Sequence, residues 1–338
     1  MKKRFLSMLV LLVAVVSGAW AQEPATYKIT LAEGTEDAEN WTVPAEAAAG
    51  SPVTATYSGD KKVKSVKAVK KGGAVDNTYL KWDADQKKLV ATDIPTTATM
   101  VENNSNDYVE WAAGTYVVEG EVTINGTIFL GGNVDLIIKD GAKLTVNNYI
   151  YGGTSKYNLS IYGQANQTGQ LVVNSSSGST QSAIMNITTL EVHSCKVTAT
   201  SSWQGWGGFD KIGTFNVYGG SVDAESTGTL GSGISLAKDG SMNIYGGDVK
   251  AVGKGDNNGY SYGIRSYSSS IADEARVKVY GGKLWAECAT NKALKDLVTL
   301  TKDASYTSGK IQTSDNGESW TDYTTTGTPT SKYVRVGY

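Results

Sequence analysis

One ten-residue pattern recurs four times in the second half of the chain: LEVHSCKVTA (Leu190 to Ala199), FNVYGGSVDA (Phe215 to Ala224), MNIYGGDVKA (Met242 to Ala251) and VKVYGGKLWA (Val277 to Ala286). In each copy apolar and polar residues alternate on both sides of a small central pair, which specifies strand, corner, strand and not helix. The starts fall 25, 27 and 35 residues apart. A fixed motif with elastic spacing predicts an all-β solenoid, in which each coil touches only its neighbours and loops of different length hang from one corner. Composition agrees, with 39 Gly, 19 Tyr and only 5 Pro in 338 residues and no long stretch of helical period.

Within FNVYGGSVDA, strand geometry points Phe215, Val217, Val222 and Ala224 to one side and Asn216, Tyr218, Asp223 and Glu225 to the other. The first set is the expected core. Gly219 and Gly220 occupy the sharp bend, where backbone angles closed to residues with a Cβ are needed. Stacking in register makes columns of equivalent residues: Tyr162, His193, Tyr218, Tyr245 and Tyr280 form one outward row, and Ser160, Glu191, Asn216, Asn243 and Lys278 another. A row of rings is either a platform for a sugar chain, whose C–H faces pack on aromatic faces beside Asn and Asp, or a ladder that stacks only on itself.

The front of the chain reads as an export signal: a basic cap at Lys2, Lys3 and Arg4, an apolar run from Phe5 to Val16, and a small-residue site, Ala19-Trp20-Ala21, with cleavage expected after Ala21. A 12-residue run is too short to span a bilayer, so the expected location is secreted, cell-surface or periplasmic, with no membrane span. With the three basic residues gone, 28 of the 31 Lys plus Arg remain against 33 Asp plus Glu, a net charge of −5. That balance gives no global attraction for nucleic acid. Cys195 and Cys288 are the two cysteines. Three coils at about 4.8 Å each separate them by about 14 Å, beyond disulfide reach, so two buried free thiols are expected.

The expected organisation is a signal at 1–21, a small β module at 26–101, a polar linker at 102–107, the solenoid at 108–302 and a β cap at 303–338. In the module, DADQ (Asp83 to Gln86) between two alternating runs signals a hairpin. KKVKSVKAVKK, at 61–71, carries six lysines in eleven positions and reads as a solvated strand face or a polyanion stripe. TSDNGESW (Thr313 to Trp320) resembles an Asp-box. A propeller would repeat it, so one copy reads as a structural hairpin with Asp315 tying a turn around Gly317.

Two further sets of residues are candidates for binding. SSWQGWGGFD (Ser201 to Asp210) places Trp203 and Trp206 in a glycine-rich connection, and Trp285 lies in an outward column, so these rings either contact a sugar or fold back over a coil edge. Asp210, Asp239 and Asp273 recur shortly before the motif strand, as a line of Ca²⁺ ligands or as turn residues satisfied by local backbone bonds.

NVDLIIKDGAKLTV (Asn133 to Val146), LSIYGQ (Leu159 to Gln164) with its insertion, and the repeated YGGxV corner together resemble bacterial secreted right-handed parallel β-helix proteins of the carbohydrate-binding-domain type, including calcium-dependent pectin binders. The likeness covers about residues 115–290. It implies a right-handed parallel β-helix and a polysaccharide partner. The turns ISLAKDGS (Ile234 to Ser241) and IRSYSSSIADEA (Ile264 to Ala275) depart from the acidic turns of the pectin binders. Residues 26–71 resemble a short module at the start of many secreted proteins of gut-type bacteria.

Three functions compete: a non-catalytic polysaccharide binder, a structural or adhesive stalk contacting proteins, and a β-helix lyase or pectinase-like hydrolase. Catalysis needs a defined cluster of carboxylates or a base beside cations. The chain offers one histidine, His193, in a tyrosine column, and after the signal only Arg265, Arg276 and Arg335. No catalytic residue is assigned and no cofactor is required, Ca²⁺ through the three aspartates being the one candidate. Regular repetition favours an extended binding face, with Trp203, Trp206, Tyr218, Tyr245, Tyr280, Trp285, Asn216 and Asn243 as its candidates.

Overall fold

The computed structural model describes residues 26–28, 40–44, 46–48, 55–59, 77–175, 181–254, 261–267, 275–324 and 328–338. The expected signal, the lysine run at 61–71 and Asp273 lie outside them. Two compact units divide the chain, Met1–Asp76 and Asn77–Tyr338. In the first, Thr26–Lys28 pairs antiparallel with Glu46–Ala48 and Trp41–Thr42 with Thr56–Tyr57, the Trp41 and Tyr57 rings 4.9 Å apart.

The second unit is all-β among the described residues and is built on long parallel ladders. Alternating strands need parallel partners one circuit away, and the pairings supply three series of them. The first ladder stacks Gly114–Val118, Val134–Ile138, Leu159–Tyr162 and Thr189–Val192, the later halves of Phe209–Val217 and Ile234–Ile244, then Ala275–Val279 and Val298–Lys302. The second stacks Glu121–Ile124, Lys143–Val146, Gln170–Ser175, Lys196–Ser201, Ser221–Ser226, Asp248–Gly253 and Lys283–Cys288. The third stacks Tyr108–Trp111, Thr127–Leu130, Ile150–Tyr151 and Ile184–Met185, the leading halves of the two long strands, and Ile264–Ser266. The chain visits third, first and second in turn, and the long strands join the first and third into one sheet.

One apolar cluster runs inside the ladders from Val101 to Val336. Phe215, Val217, Val222 and Ala224 are buried in it, while Asn216, Tyr218, Asp223 and Glu225 face outward and are half-buried. Ser160, Glu191, Asn216, Asn243 and Lys278 stand in one register column. Cys195 and Cys288 are both free and buried, with burial pushing the Cys195 thiol up to about 12.

At the three YGG corners the two glycines have distinct jobs. Gly220, Gly247 and Gly282 sit at φ of 70°, 74° and 70°, in the left-handed region, and a Cβ there would lie 2.1, 2.5 and 2.2 Å from a carbonyl oxygen of the preceding circuit. Gly219, Gly246 and Gly281 need no unusual φ. A Cβ on them would lie 2.7, 2.6 and 2.6 Å from the carbonyls of His193, Tyr218 and Tyr245. The motif is therefore conformational at its second glycine and steric at both.

The organisation differs from expectation at the start of the second unit, and one turn differs near its end. Residues 77–101, expected in the N-terminal module, belong to the second unit. The hairpin of Thr78–Asp83 and Lys88–Asp93 forms around DADQ, and Tyr79 and Ile94 bury themselves with Val117, Ile137 and Tyr162 on the outside of the first ladder. Thr99–Met100 pairs parallel with Gly114–Val118. Asn104, in the expected linker, bridges to Ile124. At the other end, Tyr333–Val336 adds antiparallel to Lys283–Cys288, followed by Ile311–Ser314 and Thr321–Asp322. The turn around Gly317 is tied by Ser314 and Asn316: Ser314 Oγ accepts the Gly317 N–H at 2.9 Å, and Asn316 Oδ1 accepts those of Glu318 and Ser319, each at 2.9 Å. Asp315, expected in that role, instead accepts the Lys332 N–H at 3.4 Å.

Gly247→Ala combines left-handed strain with backbone overlap and is expected to lower unfolding free energy by more than about 2 kcal/mol. Gly120→Ala is the control: φ is 69° there and nothing lies within 4 Å of an added Cβ, so strain alone of about 1 kcal/mol is expected. Urea denaturation of both variants checks the difference; equal losses would refute the overlap.

Candidate functional site

The tyrosine row expected from the repeats exists as a continuous stack. Tyr162, His193, Tyr218, Tyr245 and Tyr280 follow one another with ring centroids 4.4, 4.8, 5.1 and 4.6 Å apart, all near parallel. Its outer side is occupied. Trp82 of the 78–93 hairpin stacks on Tyr218 at 5.0 Å and leans on Tyr245 at 5.5 Å, and Tyr79 meets Tyr162 edge-on at 4.7 Å. Lys278 Nζ lies 4.5 Å above the Tyr280 ring and 3.1 Å from Asp303.

The amide column beside the rings is likewise spent on itself. Asn243 Nδ2 donates to Asn216 Oδ1 at 3.0 Å, and Asn216 Nδ2 donates to Glu191 Oε1 at 3.3 Å. Tyr218 donates its hydroxyl to the same carboxylate at 3.1 Å. These donors, with His193 foremost, hold the Glu191 carboxyl down to about 2. His193 is 2 % exposed, and burial lowers its pKa from the ordinary imidazole value.

Sequence reasoning missed the cover over this face, although a signal existed. Leu136, Ile137 and Ile138 are all buried, and such an unbroken apolar run marks a strand packed on both sides. Ile137 is in register with Val117 and Tyr162, so the apolar outward positions begin where the hairpin lies.

The second ladder carries a different aromatic group, around Trp285. Asp223, Lys250 and Trp285 are consecutive in one outward column, and Arg335 continues it on the first antiparallel strand. The Trp285 ring meets those of Trp320 at 5.2 Å, Tyr338 at 5.8 Å and Tyr333 at 6.4 Å, all edge-on. The Arg335 guanidinium stacks 3.9 Å above Trp320, and Lys283 Nζ lies 5.3 Å from the Tyr338 ring. Arg335 Nε donates to Gln312 Oε1 at 2.9 Å, while Trp285 Nε1 donates to Glu287. Tyr338 remains 52 % exposed. The result is a shelf of rings edged by guanidinium, ammonium and carboxylate groups, of which only Trp285 was singled out from sequence. Trp320, Tyr333, Tyr338 and Arg335 carry no repeat pattern and reach the shelf only because the cap reverses direction.

Trp203 and Trp206 sit elsewhere, in the connection from second to third ladder. Trp203 is 38 % exposed. Its loop is braced by the next one, with Gly205 N–H donating to Thr229 O at 2.7 Å and Ser226 Oγ donating to Trp206 O at 2.9 Å. Tyrosine column, shelf and loop tryptophans therefore occupy three separate regions. A fourth group gathers on the third ladder, where Phe129 meets Tyr108, Tyr149 and Tyr151 edge-on at 6.0, 6.3 and 5.8 Å; Tyr108 is 63 % exposed.

Of the aspartate line, Asp210 and Asp239 lie among the described residues. Asp210 pairs in register with Met185 on the third ladder and is 0 % exposed, its Oδ1 accepting the Tyr267 hydroxyl at 2.8 Å with Arg265 at 3.6 Å. Burial raises its pKa. Asp239 is exposed at a left-handed bend with φ of 57°, a conformation aspartate tolerates. Among the described residues no three His, Cys, Asp or Glu side chains gather to hold a metal ion, and no helix is long and apolar enough to cross a membrane. No family model, curated protein or solved structure matches the chain.

The Glu191 shift fixes a sign. A carboxyl held below its ordinary value adds stability above about pH 4.5, and that contribution disappears as pH falls towards 2. Glu191→Gln is expected to cost about 1–2 kcal/mol at pH 7, allowing for solvent screening. Wild type and variant should converge near pH 2 in denaturant midpoints; a constant gap across that range would contradict the assignment.

Proposed function

We propose that the second unit is a right-handed parallel β-helix and that the protein is an exported, non-catalytic polysaccharide binder, with the shelf around Trp285 as its principal contact. The three-ladder circuit supports the fold, and parallel crossover connections are right-handed for steric reasons. One observation carries the function: Trp285, Trp320, Tyr333 and Tyr338 converge beside Arg335, Lys283 and Asp223, a pairing of ring faces with charged hydrogen-bonding groups that suits a sugar chain. The outer face of the second ladder, which leads to the shelf through Asp223 and Lys250, lets a chain extend. Exposed Trp203 is a secondary contact on the adjoining corner.

Tyr218, Tyr245, Asn216 and Asn243 are not part of this site, because neighbouring rings, Trp82 and one another already use them. Lys278, the cation of the same outward column, is engaged by Asp303 and Tyr280. Calcium has no role in the reading.

Affinity gel electrophoresis against a polysaccharide panel tests it. At least one glycan is expected to retard the protein, equally with and without chelator. Trp285→Ala and Tyr338→Ala should each weaken retardation about three- to tenfold, with Tyr245→Ala close to wild type. Retardation by no glycan would leave the stalk reading.

A further inference from the structure

Three polar contacts fasten the 78–93 hairpin to the first ladder, and one of them titrates. Leu80 N–H donates to the Gly163 carbonyl at 2.9 Å, Gln164 Nε2 to the Thr78 carbonyl at 2.9 Å, and Trp82 N–H to His193 Nδ1 at 2.9 Å. An imidazole nitrogen accepts a hydrogen bond only when it carries no proton. The Trp82 bond therefore fixes His193 as the neutral tautomer protonated at Nε2.

A second proton acts oppositely on the two sides of the ring. At Nδ1 it sets one N–H against another, so the Trp82 amide loses its acceptor in a half-buried place. At Nε2, where the neutral ring already carries its proton, the added charge strengthens the attraction to Glu191 Oε2, which lies 3.5 Å away. Imidazolium thus gains on its own strand what it loses on the hairpin. The other groups facing it are Asp135 and Tyr162 from preceding circuits, Tyr218 from the following one, and Lys81 from the hairpin. Glu191 and Asp135 favour the charged ring; burial and Lys81 oppose it. The ring stays stacked between Tyr162 and Tyr218 in either state, since stacking does not use the Nδ1 lone pair.

We infer that protonation of His193 unlatches the 78–93 hairpin and uncovers the outer faces of Tyr218 and Tyr245, while the three ladders stay intact. The sign follows from burial: the folded imidazole titrates below the ordinary 6.5, so the latch is closed at pH 7.5 and weakens as pH falls below that ordinary value. The device is independent of any glycan.

Hydrogen exchange on the whole chain, expressed as protection factors to remove the intrinsic pH dependence, reads the latch directly. Between pH 7.5 and 5.0 the protection of Leu80 and Trp82 is expected to fall about tenfold or more, with Phe215, Val217 and Ile161 unchanged. His193→Tyr, the residue other circuits carry at this position, preserves the ring stack and removes the acceptor; its hairpin should be weakly protected at both pH values. Nitrogen NMR of the single histidine gives a reading that needs no variant: Nδ1 unprotonated at pH 7.5, with its titration tracking the hairpin amide shifts. Unchanged hairpin protection, an equal pH response in His193→Tyr, loss of protection throughout the ladders together, or a protonated Nδ1 at pH 7.5 would each overturn the inference.

Discussion

Close backbone approach between successive circuits governs this molecule. Parallel hydrogen bonding holds neighbouring strands about 4.8 Å apart, and at the corners that spacing brings a carbonyl of one circuit to where the next would carry its Cβ. Only glycine fits at Gly220, Gly247 and Gly282, where the chain also bends through the left-handed region. At these three corners a slip of one residue would turn the apolar set outward and, in one direction, place a side chain against that carbonyl. Register, core and outward columns all follow from the same contact.

A regular column uses its own chemistry. When identical groups stack at strand spacing, each finds its neighbour first: Asn243 donates to Asn216, Asn216 to Glu191, and each ring of the tyrosine row stacks on the next. Groups with capacity for an external partner collect where repetition stops. Trp285 lies at such a point, since the parallel column of Asp223 and Lys250 ends there and an antiparallel strand delivers Arg335. The interruption of the repeat, and not the repeat itself, concentrates rings and charges on the second ladder.

The hairpin over the first ladder shows how one substitution in a column acquires meaning. Four of the five members are tyrosines, which present a ring edge to whatever lies above. At His193 the ring edge carries an acceptor nitrogen, and a backbone N–H of a distant segment uses it. The exchange retains stacking and adds a directional bond whose existence depends on a proton, a property no tyrosine offers near neutral pH.

Alternation on both sides of the small central pair fixed strand and corner, and the equal length of the copies fixed which residues stand above one another; these are local and periodic properties, written in every repeat. The inward set Phe215, Val217, Val222 and Ala224 could be read directly from them. Which outward surface is covered and which is open could not, because the deciding contacts join residues far apart in the chain. Trp82 reaches His193 across 111 positions, and Arg335 meets Trp285 through a reversal of direction. Neither leaves a period in the sequence, so tertiary structure alone separated a ring column covered by a hairpin from a shelf that ends in exposed Tyr338.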